Sequence, residues 1–434
     1  MNRNRPLLSR RAWLRQTLHG TAAATLLPHW ISPSALGMGA RPAPSARLTM
    51  GMMGLGSMGM RHILGFLQEP DCQIAAVCDV DSARRREAMT VINRHYGDQG
   101  CTEEKDFRDL IARKDIDVLC IALPDHWHSV AAVMAVRAGK DIYGEKPLAL
   151  TIHEGRFMVE TVRQYHCLWQ TGTQSRSDAR IRFACQLVRN GRIGKLQRVE
   201  VGLPAGPRTG PLPSMPVPDG FDYDLWLGPA PWAPYTEKRC HWNFRWILDY
   251  SGGQFTDQGA HSIDVAQWGA GTEETGPVEI EGSGEFPAEG IWDAATAYRA
   301  EYRFANGMTM GIGTHIRGGV RWIGDQGWVH YAGDIDANPK RLLWEQFGPD
   351  EPSLYRSAGG RQGHRRNFLD CVKTRCQPAS TIEVAHRSIS LAHLGNIAMK
   401  LGRKLRWDPA RERFLNDPTA DRMLWRPMRA PWGL

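Results

Sequence analysis

Four short segments of this 434-residue chain gather side chains that can grip a phosphate or move a proton. The first is Gly54-Leu55-Gly56-Ser57-Met58-Gly59. The second is Leu123-Pro124-Asp125-His126-Trp127-His128, and the third is Glu145-Lys146-Pro147. The fourth runs from Gly252-Gly253 through Asp257 and His261 to Asp264. In the fourth, Asp257, His261 and Asp264 stand at i, i+4 and i+7 and would share one face of a helix.

The first segment is read from its context. A Gly-x-Gly-x-x-Gly run alone carries little information. Here it follows an apolar run, Leu48 to Leu55, and precedes a helical pattern, and Asp79 closes the next apolar run twenty residues after Gly59. That context is the fingerprint of dinucleotide binding. Gly54 permits the tight turn, Gly56 lets backbone approach a pyrophosphate, and Gly59 lets helix and strand pack closely. Ser57 and Met58 open the helix whose N-terminus faces the negative charge. Asp79 would accept hydrogen bonds from ribose hydroxyls and repel a 2′-phosphate. Val80 beside it offers nothing to hold that phosphate, so NAD is expected over NADP.

The elements that must position these segments alternate. Strand patterns at 73–78, 117–122 and 141–143 are separated by helical patterns at 82–96, 107–112 and 128–138. Such alternation predicts a parallel α/β sheet. Leu123, Pro124 and Glu145-Lys146 then fall outside the carboxyl ends of strands, where open sheets of this kind bind ligands. After about residue 173 the pattern changes. A helix is expected over Arg180 to Arg189, a strand over Lys195 to Leu203, and a long loop over 204–220, which holds six prolines. Strands are expected at 278–285, 294–304, 308–316 and 327–331, and late helices at 365–373 and 384–401. These predict a second, mostly antiparallel sheet. The expected boundaries are residues 48–172, 173–402 and a tail, 403–434, that wraps the body.

The glycine turn, Glu145-Lys146-Pro147 and Gly-Gly-x-x-x-Asp-x-x-x-His together resemble the glucose–fructose oxidoreductase/inositol dehydrogenase/MocA family of oxidoreductases. The resemblance extends from about residue 48 to the C-terminus. It implies an N-terminal Rossmann domain, a C-terminal α/β domain with a large, mostly antiparallel open sheet, and nicotinamide chemistry on a sugar or polyol hydroxyl. It makes Lys146 the catalytic lysine, touching both nicotinamide ribose and substrate hydroxyl. Pro147 would hold the turn that aims it, His261 would be the general acid/base, and Asp257 would position substrate or tune the relay. Leu123, Pro124, His128, Glu145 and Gln174 join the expected cofactor shell. Removing a hydride from a carbinol also requires removal of the hydroxyl proton, and a histidine near its ordinary pKa of about 6.5 suits that transfer. Asp264 reads either as a ligand or as a helix-face partner. His126 and His128 read either as lining the nicotinamide pocket or as capping the next helix.

Sixteen tryptophans add a second clue. Most would serve packing, but His241-Trp242-Asn243-Phe244-Arg245-Trp246 interleaves aromatic and polar groups just before the glycine pair. A pyranose offers apolar C–H faces and a rim of hydroxyls, which such a surface matches. Arg176, Trp242 and Arg245 are therefore expected substrate contacts.

Composition limits the alternatives. Hydrophobic residues are 42% and charged residues 23%, the mixture of a globular chain. The net charge of +8 suggests a polyanion partner, yet five of those charges are Arg3, Arg5, Arg10, Arg11 and Arg15 in a leader free of acidic residues. The remainder gives no electrostatic case for nucleic acid. Ser9-Arg10-Arg11-Ala12-Trp13-Leu14 has the twin-arginine pattern, followed by a weakly apolar stretch to Ile31. That predicts export through the twin-arginine machinery, to the periplasm or as a secreted protein, with cleavage after Gly37, Gly39 or Ala40 and no membrane-spanning helix. Nine cysteines, with no Cys-x-x-Cys, argue against a disulfide framework or a zinc site, and no metal is expected. Outside the cytoplasm there is no dinucleotide pool, so a cofactor loaded before export must return to its starting state in each cycle. Paired oxidation and reduction of two sugars satisfies this. So does an NAD-dependent glycoside hydrolysis through a transient keto-sugar. A non-catalytic NAD-binding protein is the weaker alternative, because Lys146, Asp257 and His261 are all present. The resemblance also implies a homo-oligomer.

Overall fold

The computed structural model describes residues 41–355 and 363–434. Residues 41–47 belong to a unit separate from the body and hold one 3-10 turn, Pro44–Ala46. The body runs from Leu48 to Leu434. The leader expected over residues 1–40 lies outside the described residues.

Six parallel strands form the first sheet: β1 (Leu48–Met53), β2 (Cys72–Cys78), β3 (Thr102–Glu104), β4 (Val118–Ile121), β5 (Asp141–Gly144) and β6 (Trp169–Thr171). Their order is β3-β2-β1-β4-β5-β6, with the direction of travel reversing between β1 and β4. Both faces are covered, which is why the central strands read as unbroken apolar runs instead of alternating ones. Helices α1 (Ser57–Phe66) and α2 (Ser82–Tyr96) bury Ile63, Phe66 and Ile92 against Met50, Met52, Ile74 and Val118. On the opposite face, α3 (Phe107–Ala112), α4 (Asp125–Arg137) and α5 (Ile152–Tyr165) cover Met53, Ala76, Leu119, Ile121 and Ile142. The ends are chemically marked. Asp81 caps α2 by accepting from Ala83 N, and Gly97 ends that helix in the left-handed region at φ 72°.

The second sheet has nine strands. These are β7 (Leu196–Gly202), β8 (Glu279–Glu285), β9 (Ala297–Arg303), β10 (Thr309–Gly313), β11 (Gly319–Gly324), β12 (Trp328–Tyr331), β13 (Ile335–Asn338), β14 (Leu405–Asp408) and β15 (Arg413–Phe414). They run β13-β12-β11-β7-β10-β9-β8-β14-β15, and all neighbours are antiparallel except β7 and β10. Along β9 the pattern has period two: Tyr298, Ala300 and Tyr302 are buried, while Arg299, Glu301 and Arg303 face outward. The helices after β6 are α6 (Ala179–Arg189), α7 (Tyr223–Leu227), α8 (Gln254–Asp257), α9 (Gly259–Ala270), α10 (Gly363–Thr374) and α11 (Ile382–Leu401). Helices α9 and α11 cover the inner face of the second sheet. Trp322 donates to Ala266 O at 3.0 Å and Tyr302 to Leu391 O at 2.7 Å, so these large buried side chains have no unsatisfied polar atom.

Three features depart from the linear reading. Strand β11 is held between β7 and β12, although no strand was expected at 319–324. Helix α10 falls between β13 and β14 of the second sheet in sequence yet packs on the first, with the Phe368 ring 5.7 Å from Tyr143. The tail adds β14 to the edge of the second sheet and then crosses to the first. Its Arg429 N donates to Pro229 O at 2.9 Å, and Trp432 meets Trp127 edge-on at 4.6 Å. Among the described residues, no helix is long and apolar enough to cross a membrane.

Candidate active site between the glycine turn and the second sheet

A cavity of about 1250 Å³ runs from the glycine turn, past the ends of β4 and β5, to the rim of the second sheet. Single-ligand pockets span roughly 300–1,000 Å³, so this one has room for a cofactor and a substrate together.

At one end, β1 enters the turn and α1 leaves it. Gly54 has φ 81°, and a Cβ there would lie 2.4 Å from Ala122 O. A Cβ on Gly59 would lie 1.9 Å from Gly54 O. Both positions therefore demand glycine for backbone reasons. Gly56, Ser57 and Met58 line the cavity, and no side chain caps the helix N-terminus, leaving its amides for an anion. Asp79 closes β2 beside them. Its Oδ2 accepts from Leu55 N at 2.7 Å and its Oδ1 from Asp81 N at 2.9 Å, so it braces the turn as well as facing the cavity. Burial pushes its carboxyl above the ordinary value against the pull of Arg84. These residues fit a dinucleotide. Gly56 to Met58 would hold the pyrophosphate and Asp79 the adenosine ribose.

Arg84, on α2, was not anticipated. Its guanidinium would lie 3.1 Å from a Cβ on Gly56 and bonds His241 Nδ1 at 2.6 Å. The expectation that no side chain near Asp79 could meet a 2′-phosphate is therefore corrected. The neighbour comes five residues later, from the first turn of a helix, and not from the next position in sequence. The helical pattern over 82–96 puts Arg84 in a first turn, beside the strand end that Asp79 closes.

At the middle of the cavity, the Lys146–Pro147 bond is cis. Lys146 Nζ donates to Asp257 Oδ1 at 2.7 Å and to Asp257 O at 3.0 Å. Asp257 ends α8, and Arg245 Nε stands 3.2 Å from the same Oδ1. Burial opposes its ionisation, but the two cations hold its carboxyl below the ordinary range. Glu145 supports the lysine from behind. Its Oε2 accepts from Lys146 N at 3.1 Å, and its Oε1 meets His62 Nε2 at 2.7 Å and Gln174 Nε2 at 3.0 Å. Burial would raise this carboxyl, yet His62 and Lys146 bring it down to about 2. Leu123, Pro124 and Gln174 line the same wall.

His261 lines the cavity one helical turn beyond Asp257, and its Nδ1 is buried with no hydrogen-bond partner among the described residues. Burial, reinforced by the charge of Lys146, lowers it to about 4. The expectation of an ordinary histidine is corrected: near neutral pH His261 is an unprotonated imidazole, able to accept a proton.

Three expectations on the remaining residues change. Arg176 is not at the substrate surface. Its Nε and Nη2 bond Asp264 Oδ2 and Oδ1 at 2.7 and 2.8 Å, and Ser388 adds a third bond to that carboxylate. Both side chains are buried, which settles Asp264 as a structural partner. Asp264 lies on the same helix as His261, yet Arg176 and Ser388 hold its carboxylate and it does not line the cavity. His128 does not line the cavity. Its Nδ1 and Nε2 lie 2.6 Å from Pro147 O and 2.8 Å from Leu123 O, tying the β4 and β5 loops together. His126 bonds Trp226 O at 3.0 Å. Trp242 and Arg245 do line the cavity.

Comparisons with known proteins agree with this geometry. Residues 48–173 match the family described as "Oxidoreductase family, NAD-binding Rossmann fold", and residues 207–434 match "Oxidoreductase family, C-terminal alpha/beta domain" of the Gfo/Idh/MocA group. A "Glycosyl hydrolase family 109 protein 2" from Shewanella sp. (strain ANA-3) is 30% identical over 203 residues, 43% of this chain and 44% of its own length. A "Glycosyl hydrolase family 109 protein" from Shewanella pealeana is 28% identical over 169 residues, 38% of this chain and 36% of its own. The chain thus aligns with less than half the length of these curated relatives. Two solved structures share the fold. The WlbA dehydrogenase from Bordetella pertussis, in complex with NADH and UDP-GlcNAcA, has a TM-score of 0.61 at 20% identity and covers 83% of this chain and 99% of its own. The aldose-aldose oxidoreductase from Caulobacter crescentus has a TM-score of 0.61 at 19% identity, with the same coverage.

Proposed function

This chain belongs to the Gfo/Idh/MocA oxidoreductase family, and from that premise we propose that it oxidises a hydroxyl of a sugar, glycoside or polyol, with NAD held at the glycine turn. The observation that carries this reading is the Lys146–Asp257 pair, with His261 one turn beyond it, in a cavity that begins at a dinucleotide cradle. Bound NAD would supply the hydride acceptor and return the hydride later in the cycle. The protein's own groups handle the proton. Lys146 Nζ, held by Asp257, donates a hydrogen bond to the substrate hydroxyl oxygen and orients it. The unprotonated His261 imidazole accepts the hydroxyl proton, and protonated His261 gives it back when a carbonyl is reduced. Glu145 fixes the lysine backbone and does not exchange protons in the working range, because its carboxyl stays ionised.

A second reading is favoured by the names of the curated relatives, which are glycosyl hydrolases. In it the substrate is oxidised only transiently. The new carbonyl acidifies the adjacent C–H, loss of that proton expels the glycosidic oxygen, water adds, and reduction restores the hydroxyl. The test is to give the purified protein a chromogenic glycoside without added cofactor. Phenol release without net NADH assigns hydrolysis. Accumulating keto-sugar, or exchange of oxidation state between two sugars, assigns oxidoreduction.

The proposed location is the periplasm, reached folded and with NAD already bound, and the proposed assembly is a homo-oligomer. The sequence Ser9-Arg10-Arg11 supports the route. Arg10→Lys with Arg11→Lys keeps the charge and removes the guanidinium pair, so that variant is expected to stay in the cytoplasm. Its normal export would defeat the assignment.

A further inference from the structure

Trp242 is 56% exposed, and it lines the cavity. Trp232 and Trp344 are more exposed still, but neither lines it. Trp242 therefore presents an aromatic surface to the cavity, where a ligand can meet it.

The ring is held firmly. The Arg245 guanidinium stacks on one face, 4.2 Å from the ring centroid, and also lies 4.8 Å from the Phe244 ring. Arg245 Nη1 donates to Trp242 O at 3.1 Å. The short turn Asn243–Trp246, which Trp242 immediately precedes, is pinned by Gly253 N donating to Arg245 O and Asp293 N to Trp246 O, each at 3.0 Å. Arg245 also pairs with Asp257, and Asp257 with Lys146. Three successive contacts thus fix the distance between the reacting lysine and an aromatic face. The guanidinium stacks on one side of the indole, and the residue still keeps more than half its surface exposed.

Such a surface matches the apolar C–H face of a pyranose, because a fixed aromatic plane makes contact without costing side-chain freedom on binding. It lines the same cavity as Lys146 and is linked to it through Arg245 and Asp257, so it is a contact for a ring joined to the reacting sugar. We propose that Trp242 is a platform for that second pyranose, so that the substrate is a glycosidically linked saccharide and not a free monosaccharide. The proposal rests on the sugar reading of the site and narrows it.

The test uses isothermal titration of the full-length protein as isolated. The probes are methyl glycosides of glucose, galactose, mannose and N-acetylglucosamine, each against a disaccharide with the same non-reducing sugar. The expected result is a disaccharide bound at least about tenfold tighter than its methyl glycoside. In Trp242→Ala that ratio should fall to within about twofold, and Trp242→Phe should keep most of it. Trp242 is half in solvent, so thermal melting is expected to show Trp242→Ala folded. A wild-type ratio near one for a sugar that does bind would overturn the platform and leave the sugar reading standing. So would a ratio untouched by Trp242→Ala, or a gain confined to UDP-sugars tested alongside. Failure of every sugar to bind would overturn both.

Discussion

Lys146 and Asp257 stand 111 positions apart in the chain and meet at 2.7 Å, Nζ to Oδ1, across the gap between the two sheets. Neither sheet alone contains the pair, so the site exists only when the end of β5 and the start of the α8–α9 segment are brought together.

This pair separates binding from chemistry. Lys146→Met keeps most of the stem's volume and removes the charge and donors, leaving the glycine turn untouched. Loss of a positioned proton-transfer group costs about 10²–10⁴-fold, roughly 3–5 kcal/mol in the barrier. The expected outcome is NAD affinity within about tenfold of wild type with turnover reduced at least ~100-fold. Nucleotide titration and turnover on one preparation check it, and near-normal turnover would leave His261 to carry the proton alone.

Arg176 and Asp264 should behave as structure. Removing one partner of a buried, bidentate pair leaves an uncompensated charge, which costs about 3–5 kcal/mol. Asp264→Ala is therefore expected to lower the denaturant midpoint sharply. The surviving folded fraction should turn over at close to the wild-type rate. A large kcat defect in fully folded protein would return Asp264 to the site.

Cofactor choice depends on two opposed charges at the end of β2. Asp79 should make NAD bind tighter than NADP in wild type. Arg84 is already in place, so Asp79→Ser is expected to move the NADP/NAD affinity ratio toward NADP by at least about tenfold. Adding Arg84→Ala should cancel the gain. Fluorescence titration of both nucleotides decides it, and an unchanged ratio in Asp79→Ser would remove the carboxylate from selectivity.

Acid should destabilise the fold before its ion-paired carboxylates titrate. Burial lowers His126, His261, His364 and His393 each to about 4. The unfolded chain therefore binds more protons between about pH 6.5 and 4, and stability falls as pH falls through that window. Each histidine contributes at most about 3 kcal/mol, at 1.36 kcal/mol per unit. Glu154 acts oppositely, because burial raises it to about 7 and its contribution is lost as pH rises, and burial raises Asp79, Asp125 and Asp293 in the same sense. With His241, His330 and His386 also lowered by burial, seven histidines outweigh the four raised carboxyls, so Tm should drop between pH 7 and 5. Replacing His393, which bonds Ala149 O at 3.0 Å, by Gln keeps a donor there and should flatten the drop. Differential scanning calorimetry across the range checks this, and a Tm independent of pH would show these histidines to be hydrated.

Local chemistry wrote much of this protein into its sequence. The glycine turn, the aspartate closing β2, the lysine after β5 and the histidine one turn past Asp257 are each determined by neighbours within a few residues. A φ of 81° at Gly54 and the approach of Gly59 to Gly54 O are local backbone demands that only glycine meets. The tertiary structure decided what contacts between distant residues decide. Arg176 and Asp264 look like site residues until they are seen bonded to each other, 88 positions apart. His128 faces backbone carbonyls because β4 and β5 are neighbours, and α10 packs on the first sheet because its apolar face finds Tyr143 and Phe66 there. His261 has its lowered pKa because burial and Lys146 act on it together. The residue type supplies a proton acceptor, while desolvation and a neighbouring charge, both products of packing, set the pH at which it works.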